Sequence, residues 1–191
     1  MDEALAYRCN NCTRANAPIP NRWKPNVTVS AVIEREQRFL LVEENTADGL
    51  RLNTPAGHLD PAETPVQACA REVLEETAYS FEPTDLVGIY MNRFIRTRTG
   101  SDITYMRFAF TGNLGLHHAH RVLDEGIVRT VWLSLDELKA TAHLHRSPVV
   151  LQSIQDYLAG RRFDASLIQA DSSIFSVPAP TPHTQDLLAS F

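Results

Sequence analysis

Between positions 57 and 76 the sequence sets a glycine, an arginine and four glutamates at spacings suited to holding a hard divalent cation: Gly57, Glu63, Arg71, Glu72, Glu75 and Glu76. On a helix turning about 100° per residue, with Glu72 at zero, Glu76 falls near 40° and Glu75 near 300°. Val66, Cys69, Ala70, Val73 and Thr77 fall between roughly 60° and 160°, so an apolar stripe adjoins a carboxylate stripe. An acidic helix face is ordinarily solvated, with a cation four residues after each acid. Here the i+4 partners of Glu72, Glu75 and Glu76 are Glu76, Tyr79 and Ser80, and only Arg71 supplies positive charge, within reach of Glu75. A divalent cation that accepts carboxylate oxygens would offset the repulsion.

The elements that must position these groups are legible around them. Pro65 suits a first helical turn and Thr64 an N-cap, which predicts a helix over 65–78. Val27 to Ile33 and Phe39 to Val42 are β-branched or apolar runs around the turn Glu34 to Gln37, and together they predict a hairpin. Leu86 to Phe94 and Ile103 to Thr111 form a second predicted pair around Thr99 to Asp102, and Val128 to Leu133 a further strand. Helical periodicity recurs at Leu135 to Ala142 and from Ser147-Pro148 to Leu158, with Gly160 as a stop. Strands and helices mix without regular alternation, which indicates an α/β (α+β) mixed sheet with helices on its faces.

The chain has 191 residues, 43% of them hydrophobic, enough for one core. Residues 1–22 and 164–191 read as extensions, the latter rich in Ser, Thr and Pro beyond Asp171, leaving a domain over 23–163. The net charge of −5 argues against a nucleic-acid partner. The N-terminus has no signal-like apolar stretch, and nothing approaches a membrane span. The three cysteines do not form a disulfide framework, so a reduced, cytoplasmic protein is expected, as monomer or homodimer. Cys9 and Cys12 have zinc-knuckle spacing, but a structural site needs four ligands, so zinc is not expected.

The spacing from Gly57 resembles the signature of the Nudix hydrolase family. That signature runs Gly, five residues, Glu, seven residues, Arg-Glu, an aliphatic residue, one free, Glu-Glu, and here Val73 fills the aliphatic position. Chance agreement in a chain this long is on the order of one in a hundred thousand. Two positions depart: Ala78 stands where Gly is usual and Tyr79 where an aliphatic residue is usual, which predicts an altered turn at the helix exit. The resemblance implies an α/β/α sandwich with a catalytic loop–helix–loop. It implies Mg²⁺, with Mn²⁺ as an alternative, held by Glu72, Glu75, Glu76 and the Gly57 carbonyl. Arg71 would orient a neighbouring glutamate and Glu63 would support the loop or pair with Arg71. Glu72 is the candidate general base.

Family members often add an acid from outside the box; Asp124 and Glu125 just precede a strand, and Glu125 is the candidate, or simply an exposed loop acid. Further resemblance to the NudJ-type phosphatase branch rests on Trp23 to Val29, Asn53 to Leu59, Arg146 to Val149, Ser153-Ile154, Tyr157 and Gly160-Arg161. It implies a small-molecule di- or triphosphate partner: a nucleoside di- or triphosphate, hydroxymethylpyrimidine diphosphate or thiamine diphosphate. Oxidised nucleotides, nucleotide sugars or ADP-ribose, and a non-catalytic ligand sensor, stand as alternatives. Arg96 and Arg98 share a strand face and could grip phosphates, or simply charge an exposed edge. Tyr90, Phe94 and Tyr105 could stack on a base or fill the core. His58, inside the box, is a candidate to face the phosphates.

Overall fold

A computed structural model describes residues 23–95 and 100–176. The strands are β1 (Asn26–Ala31), β2 (Glu34–Arg35), β3 (Arg38–Thr46), β4 (Gly49–Asn53), β5 (Ala56–His58), β6 (Tyr79–Ile95), β7 (Asp102–His117), β8 (Ile127–Ser134) and β9 (Phe163–Asp164). The α-helices are α1 (Pro65–Thr77), α2 (Leu135–Ala140) and α3 (Val149–Leu158), with 3₁₀ turns at Ala142–Leu144, Ala165–Leu167 and Ser172–Phe175. One sheet has the order β5-β1-β7-β6-β9. In the other, β3 pairs with β2, β4 and β8.

Alternation along the strands divides the core into layers. Leu40, Leu86 and Phe110 pack with Ala68, Cys69 and Val73 of α1. Their neighbours turn the other way: Phe39 and Leu41 meet Leu138 of α2 and Val150 and Ile154 of α3, and Val87 and Ala109 meet Val149. Helices therefore cover both faces of the sheets, the sandwich expected from the sequence.

The predicted hairpin between Val27–Ile33 and Phe39–Val42 forms only at its tip. Glu34 and Arg35 pair with Phe39 and Arg38, and Leu40 N–H donates to Ile33 O at 3.0 Å. The body of β1 instead pairs in parallel with β7 and antiparallel with β5, which puts β1 and β3 in different sheets. Strand β6 starts at Tyr79, seven residues ahead of the predicted run, because bulges at Tyr79/Phe81, Pro83/Asp85 and Leu86/Gly88 absorb Pro83 and re-aim the chain. Beyond Leu158, Gly160 takes φ +82 and β9 returns to pair with β6, placing Ala165 and Ile168 against the core.

Candidate active site

Helix α1 begins as its sequence dictates. Thr64 accepts from Gln67 N–H at 3.2 Å while the Gln67 side chain accepts from Thr64 N–H at 2.8 Å, a reciprocal cap, with Pro65 in the first turn. Its buried arc holds Ala68, Cys69, Glu72, Val73, Glu76 and Thr77. The two arcs read from the sequence thus overlap, and Glu72 and Glu76 are drawn inside. Glycine makes this possible: a Cβ on Gly57 would lie 2.0 Å from the Glu72 carboxyl carbon.

The exit of α1 keeps its left-handed turn. Ala78 adopts φ 58, ψ 15 and donates its N–H to Leu74 O at 3.1 Å, so alanine accepts the conformation usually given to glycine, and the expected alteration is absent. Tyr79 then opens β6, its ring 4.5 Å from that of His117.

The glutamates of the box divide into two groups. Arg71 donates through Nε and Nη2 to both oxygens of Glu63 (3.0 and 2.7 Å), and through Nη1 to Glu72 Oε1 and Glu75 Oε2 (2.8 Å each). Its Nη2 also reaches His58 O at 3.0 Å, tying the helix to the loop. The Arg71 hydrogen bond holds the Glu63 carboxyl below its ordinary range. Glu76 faces the other way and accepts from Ala56 N–H at 2.8 Å. Burial, helped by the charges of Glu72, Glu44 and Asp124, pushes its carboxyl up to about 8. Burial also raises Glu72, against the pull of Arg71. Cys69 is buried, donates to Ser30 O at 3.5 Å, and its thiol is pushed up by burial, as suits a packing role.

Two further acids belong to this cluster: Glu44, which sequence reasoning missed, and Asp124, beside which it preferred Glu125. Glu44 stands near the end of β3 with Oε1 buried and without a hydrogen bond, 3.8 Å from Arg146 Nε. The sequence offers Glu43-Glu44, whose side chains alternate in direction; Glu43 is spent on Arg129, and only the fold shows that its neighbour turns inward. The loop before β8 contributes Asp124, whose charge reaches Glu72 and Glu76 and whose N–H donates to Glu75 O at 3.1 Å. Glu125, the candidate from that loop, is exposed like Asp124, but it is the Asp124 charge that bears on Glu72 and Glu76.

Register partners place the candidates His58 and Tyr90 in one row with Thr28 and Arg107 across β5, β1, β7 and β6. Tyr105 lies in the next row, stacked on Phe94 at 5.7 Å and 14°, with the His58 ring 6.0 Å away. Tyr90 is instead buried, donating to Asp156 at 2.8 Å. Arg107 donates to Asn53 Oδ1 at 3.3 Å, and its Nε is buried without a partner. Arg96, Arg98, Cys9 and Cys12 lie outside the described residues. Of the late histidines, His118 Nε2 meets Ser80 Oγ at 2.7 Å and His117 packs on Tyr79.

Among the described residues no three acidic, histidine or cysteine side chains already converge on one point. Arg71 explains this, since it draws Glu75 and one oxygen of Glu72 toward Glu63. The donor set nevertheless suits a hard cation: among the described residues Glu72 Oε2, Glu76 Oε1 and Glu44 Oε1 stand outside every hydrogen bond, and the charges of Glu72 and Glu44 bear on Glu76.

Comparison with known proteins defines the class. The NUDIX domain profile matches residues 24–153, and the chain belongs to the Nudix family. It is a hydrolase acting on phosphoanhydride bonds. Phosphatase NudJ of Escherichia coli K12 is 36% identical over 146 residues, 76% of this chain and 92% of that protein. A NUDIX hydrolase from Nitrosomonas europaea is 48% identical, with a TM-score of 0.71 over 78% of this chain and 98% of its own. The fold is also shared, at 18% identity and a TM-score of 0.53, with a bifunctional NMN adenylyltransferase/ADP ribose pyrophosphatase from Francisella tularensis solved with AMP and a Mn ion, covering 72% of this chain and 42% of that one. No described helix is long and apolar enough to cross a membrane.

Proposed function

We propose that the chain releases phosphate from nucleoside di- or triphosphates, or from thiamine-pathway pyrophosphates such as hydroxymethylpyrimidine diphosphate and thiamine diphosphate, using Mg²⁺ or Mn²⁺. The observation that carries this reading is the burial of Glu72 and Glu76 around Gly57 with less positive charge than they need. A hard divalent cation, when bound, neutralises phosphate charge and acidifies water.

Glu72, Glu75 and Glu76 would hold that cation, with the Gly57 carbonyl, and Glu44 would complete the acidic wall. Arg71 keeps Glu72 oriented through its pairing with Glu63. Glu72, held by Arg71 through Oε1 and raised by burial, would take a proton from an attacking water through Oε2. His58, Tyr105 and Phe94 form a wall for the flat organic group. Among the alternatives, internal cleavage of ADP-ribose or a nucleotide sugar would need the scissile bond seated between two organic ends.

A phosphate-release screen with Mg²⁺ tests this. GTP, GDP, hydroxymethylpyrimidine diphosphate, thiamine diphosphate and ADP-ribose are supplied in parallel, and the products are separated. Orthophosphate from at least one of the first four is the expected result. Turnover of ADP-ribose alone, into two phosphorylated products, would overturn the assignment.

A further inference from the structure

Two of the arginines near this cluster, Arg71 and Arg107, are treated differently by the fold, while a third, Arg146, pairs with Glu44 at 3.8 Å. Arg71 is fully engaged, with its guanidinium bonded to Glu63, Glu72, Glu75 and a backbone carbonyl. Arg107 sits on β7, a central strand between β1 and β6, where a charge is costly to bury. No carboxylate lies within ion-pairing distance of it among the described residues. Its one hydrogen bond is to the neutral Asn53, its Nε is orphaned, and burial depresses its proton affinity although Glu44 and Glu76 are near enough to raise it. Beside it the Thr28 hydroxyl is also buried without a partner. Unsatisfied donors of this kind are rare inside proteins and call for an explanation.

The position of Arg107 supplies one. Tyr105 is two residues away on the same strand face, a rise of about 6.5 Å, and on the other side Ala109 shares a row with Ser30 and Ala56, whose N–H meets Glu76. Aromatic wall, cation and acidic pocket thus follow in the order ring, first phosphate, terminal phosphate. We propose that Arg107, braced by Asn53, clasps the phosphate adjoining the organic group and so fixes which phosphate reaches the carboxylates. This rests on the phosphohydrolase reading above and names the residue that sets its register. The planar fork matches phosphate oxygens in a way that a lysine ammonium does not.

The test uses the full chain, with inorganic pyrophosphate as probe in calorimetric titrations containing Ca²⁺, and Mn²⁺ affinity measured separately by electron paramagnetic resonance. Arg107→Met should weaken pyrophosphate binding at least tenfold and Arg107→Lys several-fold, while both leave Mn²⁺ affinity within twofold. Melting temperature gives a second readout. If Arg107 is retained for a ligand, Arg107→Met melts at or above the wild-type temperature, because a half-buried charge without an ion-pair partner has been removed. Unchanged pyrophosphate affinity in Arg107→Met, or in Arg107→Lys should the methionine variant not fold, would overturn the proposal. So would a lower melting temperature for Arg107→Met with pyrophosphate affinity intact. Failure of the underlying metal reading is recognisable separately, as wild-type protein that binds no Mn²⁺.

Discussion

Gly57 and Glu72 are packed so closely that a methyl group on the glycine would stand 2.0 Å from the glutamate carboxyl carbon. The glycine is there for space and not for an unusual backbone angle, since it lacks a positive φ. Alanine at this position must push the carboxylate out of the pocket, and a displacement of about 1 Å at a reacting centre costs on the order of a hundredfold in rate. Gly57→Ala should therefore lose about that much in kcat while circular dichroism shows an intact fold. Activity within twofold of wild type would show that Glu72 need not sit where it does.

The Glu76 carboxyl gives a pH signature of definite sign. Burial raises it from an ordinary value of 4.5 to about 8, so between those values the folded chain keeps a proton that the unfolded chain has released. Its contribution to stability is complete below pH about 4.5 and is lost as pH rises through about 8. In EDTA, melting temperature should fall between pH about 5 and about 8. Millimolar Mg²⁺, which favours the ionised acid, should flatten or reverse the slope. Thermal melts across that range with and without metal check this; identical profiles would count against a cation at Glu76.

Arg71 is the structural clamp of the box. Arg71→Lys keeps the charge but loses the fork that spans Glu63, Glu72 and Glu75. A loss of about 2 kcal/mol in stability is expected, from several partly exposed charged hydrogen bonds. Turnover should fall at least tenfold as Glu72 loses its orientation. Urea unfolding and steady-state rates measure the two effects separately.

Ala78 carries a backbone strain that glycine would not. A left-handed conformation costs a non-glycine residue roughly 1–2 kcal/mol, and the extra flexibility of glycine in the unfolded chain returns part of it. Ala78→Gly should raise the melting temperature by a few degrees with kcat unchanged. A decrease would mean that the buried methyl group contributes more than the strain costs.

What the sequence displayed follows from where the information is local. The cap at Thr64, the Pro65 start, the carboxylate register and the β6–β7 pair all depend on neighbours in the chain, and all are seen. The partner of β1 was misjudged because pairing with β7 joins segments about eighty residues apart, and no local pattern encodes that choice. Short β4 and β5 carry too few residues to show a period. The sequence leaves Glu44 unmarked and does not separate Asp124 from Glu125, because alternation and loop composition cannot say which of two adjacent acids turns inward. Arg107 did leave a trace, a charge in the middle of an apolar strand run, whose meaning depends on the orphaned atoms around it. Asn53 and Arg146 were noted only as points of family resemblance; the fold turns them into neighbours of the site.

The most direct measurement is a Mn²⁺ titration of wild type, Glu72→Gln and Glu76→Gln by electron paramagnetic resonance, with turnover of the best substrate from the release screen followed in the same samples. Each substitution removes charge and leaves volume nearly unchanged. If the two buried carboxylates hold the cation, both variants lose at least tenfold in Mn²⁺ affinity and orders of magnitude in rate. Wild-type Mn²⁺ affinity together with wild-type turnover in either variant would contradict the assignment.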